Sequence, residues 1–154
     1  MNRSFLQQAI ALAVENVRRG GGPFGALVVR DGVAIATGIN QVTRSNDPTA
    51  HAEVVAIREA CRVLGSFQLA GCDVYCSCEP CPMCLGALYW ARPDRVFFAA
   101  TQDQAAAAGF DDSFIYRELR AAAPDRTLPL IHVADEQAAL PFDEWTGKID
   151  RAEY

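Results

Sequence analysis

Pro80-Cys81-Pro82-Met83-Cys84 follows a predicted strand and opens a predicted helix, and His51-Ala52-Glu53 stands upstream of it. The two cysteines are three residues apart at a helix start, so their sulfur atoms lie on one face and reach a single metal ion. His51 adds an imidazole, and three such ligands leave the fourth tetrahedral position of Zn²⁺ open for water. An open position is typical of a catalytic site, whereas structural zinc sites use four protein ligands. We therefore predict a Zn²⁺ cofactor bound by His51, Cys81 and Cys84.

Glu53 lies two residues after His51 and is the predicted proton carrier. Side chains two residues apart on an ideal helix point about 200° apart, so both cannot bind a metal from mid-helix. In front of a helix start, however, a metal is bound by one of them while the other reaches its water. Zinc lowers the pKa of bound water to about 7, and a nearby carboxylate then carries the proton. A role for Glu53 in complementing the helix dipole alone leaves the neighbouring histidine unexplained.

The remaining cysteines are predicted to be small, buried, apolar residues, and they are Cys61, Cys72, Cys76 and Cys78. A different interpretation stays open for the same sequence. In a structural zinc module that binds other proteins, Cys76 or Cys78 would supply a fourth ligand and close the site. A redox C-x-x-C is a weaker alternative because of the histidine and glutamate upstream.

The composition predicts one domain with a sizeable core, since 51% of the 154 residues are hydrophobic. The formal net charge is -5, from 14 Lys+Arg against 19 Asp+Glu, with no basic stripe. Phosphate contacts supply most non-specific affinity for nucleic acids, so we expect a small-molecule substrate and no nucleic-acid partner. No apolar window is long enough to span a bilayer, and no signal-peptide pattern follows the start. A cytoplasmic location without a membrane partner is therefore expected.

Hydrophobic periodicity predicts the order α-β-β-α-β-α-β-α-β-α. The strands are predicted over 26–30, 33–39, 73–78, 95–100 and 128–134, with Asp31-Gly32 as a hairpin turn between the first two. Helices are predicted over 5–17, 49–64, 81–91, 113–122 and 135–140, the second starting at an Asp47-Pro48 cap. A hairpin followed by β-α-β units predicts an α/β fold with a mixed five-stranded sheet and helices on both faces. Residues 141–154 show no clear period.

Longer stretches resemble the cytidine/deoxycytidylate deaminase-like superfamily, in which H-x-E…P-C-x-x-C is the signature of zinc-dependent nucleobase deaminases. They are Pro23–Ala26, Gly38–Asn40, Asp47–Glu53 and Ser77–Ala87. The stretch Asp47–Glu53 also occurs in bacterial tRNA adenosine deaminases and does not separate the branches. Tyr89-Trp90-Ala91-Arg92, Gly109-Phe110-Asp111-Asp112 and the ending at Tyr154 resemble the bacterial guanine deaminases, and this resemblance covers nearly the whole chain.

The resemblance implies hydrolytic deamination of guanine, a purine base, to xanthine and ammonia. It also implies a three-layer α/β/α fold over residues 1–154 and a homodimer in which the C-terminal tail, 141–154, crosses to the partner's site. Zinc on His51, Cys81 and Cys84 and proton transfer by Glu53 belong to the same implication. Contacts to the purine are expected, by this analogy, from Phe24, Asn40, Ala52, Asp112 and Tyr154.

A second proton carrier is predicted because guanine loses its amino group from C2, which lies between two ring nitrogens. Glu79 before the metal-binding helix and Glu144 in the tail are the candidates, with Asp143 beside Glu144. Deamination of adenosine in tRNA is the alternative activity. The acidic charge balance and the lack of a basic C-terminal helix are arguments against it.

Overall fold

This computed structural model describes residues 2–153 of the chain, whose helices and strands fall into two compact units. The first of two compact units ends at Ile115. It contains α1 (Arg3–Arg18), β1 (Gly25–Arg30), β2 (Val33–Ile39), α2 (Val42–Ser45), α3 (Ala52–Leu64), β3 (Cys72–Cys78), α4 (Pro82–Ala91), β4 (Arg95–Ala100) and α5 (Gln102–Ala107). Helix α6 (Ser113–Arg120) spans the boundary. The second unit continues with a short 3-10 helix (Ala123–Asp125) and α7 (Leu140–Gly147).

The first unit is built on a mixed sheet with the strand order β2-β1-β3-β4. Strand β1 pairs antiparallel with both β2 and β3, while β3 and β4 run parallel. The predicted hairpin is confirmed, because Arg30 pairs with Val33 and both turn residues have positive φ, 51° at Asp31 and 76° at Gly32. Positive φ at both positions is the requirement of a type I′ turn, whose twist matches that of the strands.

Alternate residues of β1 contact different helix layers. Ala26 and Val28 are fully buried in a cluster with residues of α3 and α4, while Leu27 and Val29 pack in a second cluster with α1. Because successive side chains of a strand point to opposite faces, the helices cover both faces of the sheet. The predicted α/β fold with helices on both faces is thereby confirmed.

Two glycines allow the helices to approach the sheet closely. A Cβ at Gly38 would overlap the carbonyl oxygen of Ala52 and lie 2.6 Å from the nitrogen of Ala56, both in α3. A Cβ at Gly25 would lie 2.5 Å from the carbonyl oxygen of Ala9 in α1. The backbones of α1 and α3 therefore rest directly on neighbouring strands, which sets the position of His51 at the start of α3.

The prediction of five strands is wrong by one, since the sheet of the described residues has four. Residues 128–134 adopt no strand conformation, and Ile131 and Val133 expose 82% and 77% of their surface. A strand forms only where a neighbouring strand takes up its backbone hydrogen bonds, and no described strand pairs with this segment. The aperiodic tail was also partly mispredicted, because residues 140–147 form helix α7. None of the described helices is long and apolar enough to cross a membrane.

Candidate active site

His51 and Cys81 each precede a helix as its N-cap, and this shared position brings them together. Helix α3 begins at Ala52 and not at Pro48 as predicted, with His51 extended at φ -69° and ψ 157°. Asp47 Oδ1 instead accepts hydrogen bonds from the backbone nitrogen and the hydroxyl of Thr49, at 2.8 and 2.7 Å, and so forms a local turn. Cys81 is extended in the same way before α4. Neither side chain caps its own helix, so both project in front of the helix starts.

The three predicted metal ligands lie together. His51 Nδ1 is 3.5 Å from Cys81 Sγ and 3.5 Å from Cys84 Sγ, and all three ligand atoms lie within 4.8 Å of one another. Nitrogen and sulfur ligands at about 2.1 and about 2.3 Å from a tetrahedral Zn²⁺ are about 3.6 Å apart. The observed spacing and the soft donor set both fit Zn²⁺. The nitrogen that faces the sulfurs is Nδ1, which identifies the ring atom available to the metal.

The charges of the cluster favour a bound cation. Hydrogen bonding to Cys84, and then to His51, lowers the pKa of the Cys81 thiol to about 4 although burial opposes this. The pKa of Cys84 is raised, first by its hydrogen bond to Cys81, then by burial and the charge of Glu53. The pKa of His51 is raised, chiefly by the hydrogen bond to Cys81. One thiolate forms readily and a second is opposed, so a divalent cation supplies the positive charge that a pair of thiolates requires.

Glu53 contacts this cluster without belonging to it. Its side chain is 5% exposed, and Cys84 Sγ lies 3.4 Å from Glu53 Oε2. Burial is the largest cause that raises the pKa of the Glu53 carboxyl. His51 lies before the helix and only Glu53 lies within it. The two side chains therefore do not point to opposite sides of one helix, as they would at mid-helix positions. A buried carboxyl beside three metal ligands is suited to exchanging protons with a group bound at the metal.

The cysteines proposed for a closed, four-ligand site lie elsewhere. Within residues 2–153, the only group of three or more ligands close enough to hold a metal is His51, Cys81 and Cys84. The Cys78 thiol donates to the carbonyl of Thr101 at 3.8 Å, and Cys76 is fully buried among core residues. Burial raises the pKa of both thiols, so neither readily forms the thiolate that zinc needs. The arrangement is that of an open, catalytic site.

A cavity of about 520 Å³ opens in front of the metal ligands and contains most of the predicted contact residues. Its walls include Phe24, Asn40, His51, Glu53, Glu79, Cys81 and Asp112. Ala52 is fully buried and is not among the lining residues, so the structure does not place it in contact with the cavity. Glu144 lies on α7 in the second unit, exposed to solvent. Tyr154 lies outside the described residues.

Asn40 and Asp112 offer complementary hydrogen-bonding groups to the cavity. Asn40 Oδ1 accepts a bond from the Val42 nitrogen at 3.3 Å, so its amide nitrogen is the group left to donate. Gln102 Nε2 donates to Asp112 Oδ1 at 2.6 Å, so Oδ2 is left to accept. Within the described residues, neither of these two remaining atoms takes part in a hydrogen bond.

Several residues that shape this cavity were not predicted as site residues. Phe110 lines it and packs edge-on against Phe24, with ring centroids 5.0 Å apart. Asn16, 1% exposed, donates to the carbonyl oxygens of Gly22 and Asn40, both at 2.8 Å, and so ties together two segments of the wall. Gln102 lies at the start of α5, which is marked by a capping box between Thr101 and Gln104. This capping box directly after a predicted strand is the sequence feature that could have indicated Gln102 as a site residue.

Comparison with known proteins agrees with this geometry. Residues 1–100 match the model of the cytidine and deoxycytidylate deaminase zinc-binding region. Guanine deaminase of Bacillus subtilis is 56% identical over 154 residues, 99% of each chain, and its crystal structure covers 100% of this chain and 99% of its own with a TM-score of 0.97 at 57% identity. The tRNA-specific adenosine deaminase of Aquifex aeolicus is 44% identical over 96 residues, 62% of this chain and 64% of that protein. The chain belongs to the cytidine and deoxycytidylate deaminase zinc-binding family.

Proposed function

We propose that this protein is a zinc-dependent enzyme that hydrolyses guanine to xanthine and ammonia. The zinc site alone does not identify the substrate, because relatives with the same kind of site act on different bases. The observation that carries the choice is the whole-length similarity to Bacillus subtilis guanine deaminase, against a partial match to the tRNA-specific enzyme. The tRNA alternative is therefore only a distant one.

His51 Nδ1 and the sulfurs of Cys81 and Cys84 would hold the Zn²⁺, which when bound supplies a water of lowered pKa. Glu53 takes a proton from the attacking water and returns it to a ring nitrogen next to C2. The C2–O bond forms, the C2–N bond to the amino group breaks, and a second proton leaves with the nitrogen as ammonia. Burial of Glu53 supports this role, since it raises the pKa of the carboxyl and so makes the group a better proton acceptor.

Recognition of the base is assigned to Asn40 and Asp112. Guanine carries acceptors at O6 and N7 and N–H donors on its ring and amino group. The free amide nitrogen of Asn40 matches an acceptor, and the free oxygen of Asp112 matches a donor. Phe24, held against Phe110, supplies an apolar surface for the purine ring. Ala52, between His51 and Glu53, stays a proposed contact on the family resemblance alone, and Tyr154 is proposed to close the cavity.

A second carboxylate is proposed to help expel ammonia. Glu79 lines the cavity and accepts a hydrogen bond from the Gln102 nitrogen at 3.1 Å through one oxygen. Glu144 is assigned the same task from the tail of a second copy, and Asp143 is its neighbour on α7. The two candidates are separable by mutation, as argued below.

We also propose that the chain, residues 1–154, acts as one deaminase domain that forms a homodimer by exchange of its tail. Helix α4 supports this, because its outward side chains Leu85, Tyr89 and Trp90 are apolar and expose 38%, 76% and 65% of their surface. A helix that is apolar on every side is typical of one buried all round in the working assembly. The exposed apolar residues of 128–134, which precede the tail, also support a partner chain that covers them. A cytoplasmic location stays part of the proposal.

The activity is tested by incubating the zinc-loaded full-length protein with guanine, adenosine and tRNA. We expect equimolar xanthine and ammonia from guanine. Inosine in RNA without xanthine would contradict the proposal in favour of the tRNA enzyme.

Tail exchange is tested by combining two full-length variants in one dimer, Glu53→Gln and Tyr154→Ala. If the tail crosses, the mixed dimer has one site with an intact Glu53 and an intact tyrosine, and activity returns. Sedimentation of the wild type as a monomer, or a mixed dimer without activity, would contradict the exchange.

A further inference from the structure

Gln102 contacts two acidic residues that line the cavity, Glu79 and Asp112. Its backbone nitrogen donates to Glu79 Oε2 at 3.1 Å, and its side-chain nitrogen donates to Asp112 Oδ1 at 2.6 Å. Gln102 itself lines the cavity and is partly buried. One residue therefore joins the end of β3, where Glu79 follows, to the segment that precedes α6.

The main chain of Gln102 is held in place from both sides. The Glu79 nitrogen donates to the carbonyl of Ala100 at 2.8 Å, which joins the ends of the two parallel strands. Thr101 then caps α5, because its hydroxyl accepts from the Gln104 nitrogen and its nitrogen donates to Gln104 Oε1 at 2.9 Å. Since Gln102 is the first residue of this capped helix, its side chain starts from a fixed point.

Asp112 depends on that side chain for its orientation. It lies on the connection between α5 and α6, just after Gly109 with a φ of 93°. Among residues 2–153, the amide of Gln102 is the only group that donates to the Asp112 carboxylate. A hydrogen bond to a charged acceptor is stronger than one between neutral groups, so this contact selects one rotamer of Asp112.

We propose that Gln102 is a positioning residue for substrate binding, which engages Asp112 Oδ1 and so directs Oδ2 toward an N–H group of the purine. The inference rests on the proposed deaminase function. A neutral amide suits the task, because it donates a hydrogen bond without adding a charge of its own beside Asp112. Gln102 acts through Asp112, and no contact of its own with the reacting atoms is required.

The test compares matched substitutions at two glutamines in the zinc-loaded full-length protein. Gln102→Leu and Gln102→Glu both remove the donor, while Gln7→Leu and Gln7→Glu make the same changes at an exposed position of α1, away from the cavity. We expect KM for guanine and the Kd of xanthine, measured by calorimetry, to rise roughly tenfold or more in both Gln102 variants, with kcat within about threefold. Both Gln7 variants keep the wild-type KM.

A pH series separates positioning from a general loosening of the fold. In Gln102→Glu, the introduced carboxyl faces Asp112, with Glu79 and Asp111 as the other acidic groups lining that part of the cavity. Two adjacent carboxyls share a proton at lower pH, which restores a donor to Asp112. The KM of this variant relative to wild type therefore falls as pH decreases, while that of Gln102→Leu does not.

Three results would overturn the inference. A wild-type KM in both Gln102 variants shows that Asp112 needs no orienting donor. A fall in kcat at unchanged KM and unchanged xanthine affinity shows a role in the reaction and not in positioning. Absence of xanthine from the wild type overturns the proposed function itself, and it is distinguished from the other two because it is seen before any variant is compared.

Discussion

The carboxylate of Glu53 lies 3.4 Å from the sulfur of Cys84, beside the metal ligands but not among them. This separation of tasks comes from the position of the helix start. His51 is the N-cap and lies outside the helix, where its ring would bind the metal, while Glu53 lies within the first turn of α3. Two residues separated by one position thus serve different tasks, His51 in metal binding and Glu53 in proton transfer.

Glu53→Gln is expected to abolish most turnover while the protein still binds zinc. The amide keeps the size of the side chain but cannot carry a proton, and loss of a general acid–base lowers kcat about 10²- to 10⁴-fold. The measurement is xanthine formation together with zinc content per chain. Glu59→Gln is the control on the same helix, since Glu59 is an exposed partner of Arg62 and such pairs contribute little. A Glu53 variant with wild-type kcat would contradict the assignment.

Glu79→Gln and Glu144→Gln distinguish the two candidates for the second proton carrier. Glu79 lines the cavity of its own chain, so its amide variant is expected to lower kcat by about 10-fold or more if it carries a proton. Glu144 acts only if the tail of a second copy reaches the site. If Glu144→Gln keeps full turnover while Glu53→Gln abolishes it, Glu144 is not the second carrier. Turnover is measured as the ammonia formed in quenched reactions.

Cys84→Ala is expected to lose zinc, and Cys78→Ala to retain it. Cys84 Sγ is 3.5 Å from His51 Nδ1, whereas the Cys78 thiol bonds to the Thr101 carbonyl. Removing one of three protein ligands weakens zinc binding strongly, whereas a buried cysteine outside the cluster contributes only packing. Metal analysis after gel filtration checks both variants. Loss of zinc from Cys78→Ala would favour the closed, structural site instead.

The sequence was sufficient for the two cysteine ligands because their spacing is local: Cys81 and Cys84 lie on one face of a helix start. His51 was predicted because the signature H-x-E…P-C-x-x-C links it to them across the chain. The first helix, the hairpin and β4 could also be predicted from the sequence, because each has its own hydrophobic periodicity or turn residues. The helix boundary before His51 was wrong because Asp-Pro-Thr is a turn signal as well as a cap signal, and the Thr49 contacts decide between them.

The features that could not be predicted from the sequence depend on contacts between residues that are distant along the chain. Residues 128–134 carry a strand composition, but a strand forms only where a neighbour accepts its hydrogen bonds. Gln102 and Asn16 are ordinary polar residues in the sequence, and only the fold places their amides against Asp112 and Asn40. Asp112 was predicted as a contact only through the family resemblance, and it is the fold that places it on the wall of the cavity.

Zinc affinity is expected to increase with pH. The pKa values of His51 and Cys84 are raised, chiefly by hydrogen bonding to Cys81, so both side chains keep their protons more strongly than usual and zinc must displace them. Cys81, with its pKa lowered to about 4, is already a thiolate near neutral pH. Zinc binding therefore releases protons. Competition with a chelator between about pH 6 and about pH 8, and calorimetry in buffers of different ionisation enthalpy, measure the slope. An affinity that does not change with pH would contradict this assignment of protons.

Gly38→Ala is expected to destabilise the fold and to weaken the metal site together. The added Cβ would overlap the carbonyl oxygen of Ala52, the residue that directly follows His51. Helix α3 must then move away from β2, and overpacking of this kind costs about 1–3 kcal/mol.

Chemical denaturation gives the free energy of unfolding, and metal analysis gives the zinc content. Thr37→Ala is the matched control, because Thr37 precedes Gly38 on the same strand with an exposed side chain. If Gly38→Ala kept both wild-type stability and wild-type zinc affinity, the close contact between β2 and α3 would not be what places His51. A loss of stability with unchanged zinc affinity would show that His51 adjusts independently of its helix.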